Sequence, residues 1–150
     1  MRLSTRSRYG TRMMQELARQ YGNGPVRIGE IAKQQNMSVK YLEQLIIPLR
    51  HGNFIKSVRG PKGGHMLAQA PENITVGQIV EILEGGINLA SCIENPNECE
   101  RACGCITRNI WEDASKVMYD KLNSITLAKL LEMEKTDKYA LRRSTCIQKK

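Results

Sequence analysis

Apolar side chains recur along the first third of the chain with the period of a helix. Tyr9, Met13, Leu17 and Tyr21 stand four apart, with Arg6, Arg8, Arg12 and Arg19 between them, which predicts an amphipathic helix with a basic outer face. Gly22-Asn23-Gly24-Pro25 ends it with a dense breaker signal. A short helix follows with Ile28, Ile31 and Ala32 turned inward, stopping near Asn36. Ser38 is placed as the N-cap of the next helix, whose inner stripe is Leu42, Leu45, Ile46 and Leu49. Two short helices joined by a tight turn make a helix-turn-helix. The strand-like run 54–58, the Gly- and Pro-rich turn 59–64 and the short run 65–67 then predict a β-hairpin wing.

Thr75-Val76-Gly77-Gln78 has the form of a capping box and opens a helix with Val76, Ile79, Val80 and Leu83 on one face, closed by Gly85-Gly86. From there to Cys105 no periodicity is present, which reads as a loop of about twenty residues, long enough to need a functional reason. Trp111, Ala114, Met118, Leu122 and Ile125 return at spacings of three and four, a seam that a partner helix can cover, so a homodimer is expected. Thr126 caps a last short helix running through Met133, and a charged tail follows from Glu134. The predicted fold is mainly α with a small β-hairpin wing. Its parts are a winged helix-turn-helix over 1–83, a cysteine-rich loop over 84–105, a dimerisation helix with a short C-terminal helix over 106–133, and a flexible tail over 134–150.

Charge changes the picture from fold to partner. Residues 1–65 carry 12 basic and 3 acidic side chains, whereas residues 66–150 carry 11 and 12. A basic first half is the electrostatic footprint of a polyanion binder. Aromatic residues make up only 5% of the chain, too few for a single-strand stacking platform. No apolar run reaches the roughly 18 residues of a membrane span, and the N-terminus lacks the apolar stretch of a signal peptide, so a cytoplasmic protein without a membrane partner is expected. The two histidines, His51 and His65, both lie in the basic half, and no nucleophile, base and orienter set is present. Neither an enzyme nor a small-molecule substrate is expected.

The helix starting after Ser38 leaves Lys40, Tyr41, Glu43 and Gln44 on its outer side near its N-terminus, where such a helix reaches base edges in the major groove of double-stranded DNA. Lys40 and the first-helix arginines suit phosphates. Gln44 suits an adenine edge, and Glu43 suits the cytosine amine. A carboxylate in the groove is repelled by phosphate unless that amine compensates, so Glu43 filters sequence rather than adding affinity. Arg59, before Gly60-Pro61 and Lys62 at the wing tip, is placed to enter a narrow minor groove. The plainer alternatives are a generic helical hairpin, a solvated Glu43 and a surface Arg59.

Four of the five cysteines, Cys92, Cys99, Cys103 and Cys105, fall within fourteen residues. Such clustering in a chain with an odd cysteine count points to metal or thiol chemistry rather than a disulfide scaffold. The gaps contain no Cys-x2-Cys knuckle, so structural zinc is not the first choice. An iron-sulfur cluster and a redox-sensing thiol pair are the other readings. Cys146 stands alone in the basic tail and reads as a bystander thiol.

Taken together, Met1-Arg2-Leu3-Ser4, Arg8-Tyr9, Ser38-Val39-Lys40-Tyr41-Leu42-Glu43-Gln44-Leu45, Ser57-Val58-Arg59-Gly60-Pro61-x-Gly63-Gly64, the cysteine loop, and Cys105-Ile106-Thr107 followed by Trp111 resemble IscR-type iron-sulfur regulators of the Rrf-two superfamily. The resemblance covers residues 1 to about 133. It implies a dimeric bacterial winged-helix transcription regulator, a repressor or dual regulator, that senses cluster status and controls iron-sulfur assembly or related genes. The cluster it implies is 2Fe-2S ahead of 4Fe-4S, with ligands carried over to Cys92, Cys99 and Cys105. The DNA-contacting set becomes Arg2, Ser38, Lys40, Tyr41, Glu43, Gln44, Arg59, Gly60 and Lys62.

The chain departs from that pattern at two positions. The histidine that IscR-type members place three residues after the last cysteine is Arg108 here, and the first-helix acidic position of nitric-oxide-sensing relatives is Arg8. A guanidinium is not a usable ligand, so the fourth ligand falls to Cys103, to a loop carboxylate such as Glu98, or to a partner subunit. The alternative functions are nitric-oxide or cysteine-metabolism sensing within the same superfamily, or a zinc-stabilised interaction module. Four loop cysteines weigh against the cysteine-metabolism reading.

Overall fold

The computed structural model describes residues 3–136. Among these the chain forms seven α-helices and one antiparallel hairpin, so the fold is mainly α with a small β wing. Helix α1 (Thr5–Arg19) opens with Ser4, whose hydroxyl accepts the Arg6 N–H, and buries Met13, Met14 and Leu17. Helix α2 (Ile28–Gln35) ends in a left-handed Asn36 at φ 52°, and the Met37 N–H reaches back to the Ala32 carbonyl, a Schellman-type ending that sets the turn. Helix α3 (Val39–His51) then starts from Ser38, whose hydroxyl accepts the Tyr41 N–H at 3.2 Å. Its predicted stripe, Leu42, Leu45, Ile46 and Leu49, is buried throughout.

Strands β1 (Ile55–Val58) and β2 (Gly64–Leu67) pair with Ile55 opposite Leu67 and Val58 opposite Gly64. Val26 exchanges both backbone hydrogen bonds with His65 at 2.8 Å, adding a one-residue third strand. Helix α4 (Val76–Glu84) carries the complete capping box between Thr75 and Gln78 and packs on α1 and α3. After α4 come a short helix, α5 (Ser91–Glu94), and two 3-10 turns, Pro96–Glu98 and Ala102–Gly104. Helix α6 (Ile106–Asn123) and helix α7 (Leu127–Lys135) complete the described chain.

The C-terminal helices return to the body formed by α1 to α4 and the wing. The Val76 N–H donates to the Ile125 carbonyl and the Leu127 N–H to the Ile74 carbonyl, each at 2.8 Å. Leu127 is fully buried, and α7 packs on α1. Gly77 lets α4 and α6 approach backbone to backbone: a Cβ built there would lie 2.8 Å from the Asn123 backbone nitrogen and 2.9 Å from its Cα. At the other end of α4, the Glu84 carboxylate accepts the Ser4 N–H at 2.9 Å, the Ser4 hydroxyl at 2.7 Å and the Ser7 hydroxyl. Burial would raise the Glu84 pKa, but those serine hydrogen bonds and the nearby Arg6 charge outweigh it and hold the carboxyl below its ordinary range.

Four sequence expectations change. Tyr21 is not on the first helix, because the Gly22 turn at φ 86° unwinds the chain after Arg19 and leaves Tyr21 48% exposed. Arg19 is not a free outer cation: it pairs with Glu16 on its own helix and with Glu134 at 2.7 Å. Glu134 lies within α7 rather than at the start of a tail, and residues beyond 136, Cys146 among them, lie outside the described residues. The segment before Cys105 is not structureless, since local hydrogen bonds wind it into α5 and the two 3-10 turns. The anticipated α6 seam is also divided. Ala114, Met118 and Leu122 are half-buried while Trp111 is exposed, and Ile125 falls past the helix end. The exposed apolar face is instead Ile106, Ile110 and Val117, at 77%, 55% and 69% exposure, with Trp111 at its edge.

Candidate nucleic-acid interface and cysteine loop

Lys40, Glu43 and Gln44 are exposed on one side of α3, opposite the buried stripe, as the helical period requires. Ser38 stands at the helix start. Tyr41 turns away from this group toward α1, where its ring meets Tyr9 edge-on at 5.9 Å and 87°. Arg8 and Arg12 lie 6.0 and 5.8 Å from the Tyr9 ring, and Arg12 Nε donates to Gln35 at 2.9 Å. These contacts hold the α1 arginines beside the α2–α3 turn, so the basic side of α1 and the start of α3 form one continuous surface. Arg2 lies outside the described residues.

The wing places Arg59, Gly60 and Lys62 at its exposed tip. Gly60 has φ 113°, a conformation that L side chains rarely adopt, and its carbonyl accepts the Gly63 N–H at 2.9 Å. Arg27 Nη2 donates to the Pro61 carbonyl at 2.8 Å and fixes the tip from the strand that precedes α2. Sequence reading missed both Arg27 and the Val26 strand, because a one-residue bridge has no alternation to detect. One strand pair in from the tip turn of the wing, His65 Nδ1 lies 3.0 Å from the Ser57 hydroxyl. Burial and the Arg50 cation hold its pKa below the ordinary histidine range, against an upward pull from the Glu43 carboxylate.

The cysteine loop is fastened to α6 at its root. Arg108 Nε donates to the Cys92 carbonyl at 3.0 Å, and its Nη1 lies 3.9 Å from Glu112. Buried Ser115 accepts the Leu89 N–H at 3.0 Å and donates to the Trp111 carbonyl at 2.7 Å. Ala102 is buried beneath the loop. All four described cysteines are unpaired, with Cys99 and Cys103 exposed and Cys92 and Cys105 half-buried. Cys105 sits at the N-cap of α6 with its sulfur 3.1 Å from the Thr107 hydroxyl. That hydroxyl, together with the Arg108 N–H, holds the thiol below the ordinary thiol range, which favours the thiolate form that binds metals.

The donor chemistry thus fits a thiolate-held iron centre. The geometry is open: among the described residues, no three His, Cys, Asp or Glu side chains are drawn together as a metal site. Arg108 occupies the place where the resemblance would put a histidine ligand, and here it acts on the loop backbone. Nothing in the sequence announced that contact, which spans sixteen residues.

Comparison with known proteins fits this arrangement. Residues 3–133 match the Rrf2 family, described as an iron-dependent transcriptional regulator. Protein rrf2 of Nitratidesulfovibrio vulgaris is 47% identical over 131 residues, covering 87% of each chain. Among solved structures, T. potens IscR superposes with a TM-score of 0.73 at 38% identity, covering 89% of this chain and 88% of that one. CymR, the global cysteine regulator of B. subtilis, gives 0.74 at 38% identity, covering 89% and 98%. The relatives are transcriptional regulators rather than enzymes. With the helix-turn-helix, the wing and the C-terminal helices all in place, the chain belongs to the Rrf2 family of DNA-binding transcriptional regulators.

Proposed function

We propose that this regulator works as a homodimer whose operator affinity is set by an iron-sulfur cluster bound at Cys92, Cys99 and Cys105, with Cys103 as the fourth ligand, in the cytoplasm of a bacterium. The observation that carries the reading is the loop itself: four unpaired cysteines on a segment anchored to α6, while α6 rests on α4 of the DNA-binding body. A bound cluster would supply a redox-responsive centre. The residues of the chain present the thiolates, with Thr107 and the Arg108 N–H favouring deprotonation of Cys105 and the Arg108 side chain holding Cys92. The exposed Ile106, Ile110 and Val117 face of α6 supports helix-on-helix dimerisation. DNA is engaged by Ser38, Lys40, Glu43, Gln44 and the wing residues Arg59, Gly60 and Lys62, with Arg2 in the same set, whereas Tyr41, expected there from the sequence, packs on Tyr9 and supports the start of α3 from behind.

The test is anaerobic purification with a visible spectrum and counts of iron and acid-labile sulfide, followed by operator binding with and without the cluster. A coloured protein with matched iron and sulfide, loss of colour in Cys103→Ser, and an affinity shift of about tenfold, typical of coupling between two sites, is expected. A colourless protein, or equal affinities in the two states, overturns the proposal. A thiol-based reading keeps one specific support, the open cysteine geometry together with the likeness to a global cysteine regulator. It predicts a colourless protein whose DNA affinity changes with thiol oxidation.

A further inference from the structure

The exposed positions of α3 are polar except for Val39 in its first turn and Ile47 two turns further on. Lys40, Gln44, Ile47 and His51 recur at four, three and four residues and are all exposed, so they form a single stripe down the face opposite Leu42, Leu45 and Leu49. Ile47 is 49% exposed on a stripe otherwise made of charged or hydrogen-bonding groups. The core does not need it there, because the buried side of α3 is already filled by its four-residue apolar stripe. A lone apolar side chain on a surface is ordinary. One on the groove-facing stripe of a DNA-binding helix has a natural counterpart, the 5-methyl group of thymine, the apolar mark in the major-groove pattern.

We propose that Ile47 is a specificity residue that reads a thymine methyl group in the operator. The inference rests on the membership of the chain in a DNA-binding family and deepens it by naming a base preference. Seven residues separate Ile47 from Lys40, about 10 Å along the helix axis or roughly three base-pair steps of 3.4 Å. A phosphate contact from Lys40 and a methyl contact from Ile47 therefore fall on different base pairs of one half-site. The side chain is also stiff. A β-branched residue in a helix keeps essentially one χ1 rotamer, and Pro48 follows it directly inside α3. Burying such a knob costs less conformational entropy than ordering a long polar chain, and what it rewards is apolar contact.

The test uses the full chain. An operator is selected from a randomised duplex pool, and each thymine is then replaced singly by deoxyuridine, which removes only the 5-methyl group. Loss of one buried methyl is expected to weaken wild-type binding about fourfold at one or more thymines in the half-site. Ile47→Ala should bind the thymine and deoxyuridine duplexes at those positions equally, while keeping the wild-type salt dependence and helical circular dichroism. Equal wild-type affinity for thymine and deoxyuridine at every position, or the same penalty surviving in Ile47→Ala, overturns the inference and leaves DNA binding intact. Failure to retain any duplex from the pool overturns the DNA-binding assignment and this inference with it.

Discussion

Gly29 and Gly77 are each the second residue of a helix, and alanine at the two positions should act with opposite sign. Nothing lies within 4 Å of a Cβ at Gly29, an exposed position on α2, so Gly29→Ala is expected to stabilise by the usual helical gain of about 0.5–1 kcal/mol. At Gly77 the new carbon would stand 2.9 Å from the Asn123 Cα and 2.8 Å from its backbone nitrogen. Carbon atoms settle at about 3.5 Å or more, so α6 would have to retreat by about 0.6 Å. The obstacle is backbone, which cannot rotate aside. That retreat also strains the Thr75 hydroxyl contact with Asn123 and the Val76 to Ile125 hydrogen bond. Overpacking of this kind costs about 1–3 kcal/mol, which leaves a net loss centred near 1 kcal/mol, within a range of about 0–2.5, after the helical gain.

The two variants should therefore differ by about 2 kcal/mol, or about 4–8 °C in Tm for a chain of this size. Urea midpoints at matched protein concentration, with unchanged m-values, measure the difference without a contribution from dimer mass action. A Gly77→Ala variant as stable as wild type would mean that α4 and α6 do not meet backbone to backbone. The placement of the cysteine-loop helix on the DNA-binding body would then be wrong.

Further predictions concern the site. Arg108→Met keeps the side-chain stem but removes the donors that hold the Cys92 carbonyl; maleimide labelling of Cys92 in iron-free protein should quicken and iron loading should fall, and unchanged labelling rates would refute the tether. Lys62→Ala should reduce the salt slope of operator binding by about one, whereas Arg59→Ala should weaken binding most on operators with a narrow A-tract minor groove; a uniform loss across sequences would place Arg59 on phosphate instead. Glu43→Ala should raise affinity for operators lacking the cytosine that the carboxylate requires, and unchanged relative affinities would remove its filtering role. His65 has a lowered folded pKa, so as pH falls below about 6.5 the unfolded chain takes up a proton that the folded ring resists, and stability falls with it until the folded ring also protonates. Between pH 7.5 and 5.5 the urea midpoint should fall less in His65→Gln than in wild type, and an equal fall would contradict the assigned shift.

Much of the fold could be read from local pattern, because caps and periodic stripes are short-range physics. Ser38, the Leu42 to Leu49 stripe, the wing and the Thr75 capping box each depend on residues a few positions apart, and each forms as expected. The basic half and the clustered cysteines were likewise plain from composition and spacing. Contacts between distant segments were not. The pairing of Arg19 with Glu134, the grip of Glu84 on Ser4 and Ser7, the pin from Arg27 to Pro61 and the reach of Arg108 to Cys92 join residues separated by 16 to 115 positions, and no periodicity encodes them. Which side of α6 stays open was also a tertiary decision. Both sides of that helix carry apolar residues, and the side that meets α4, through Asn123 at Gly77 and Tyr119 at Glu81, is not the one that carries Ile106, Ile110 and Val117, which stay exposed. Short-range pattern was therefore enough for the main helices, the wing and the charge map. Which surfaces face outward was settled only in three dimensions, because that depends on which helix backbones can touch.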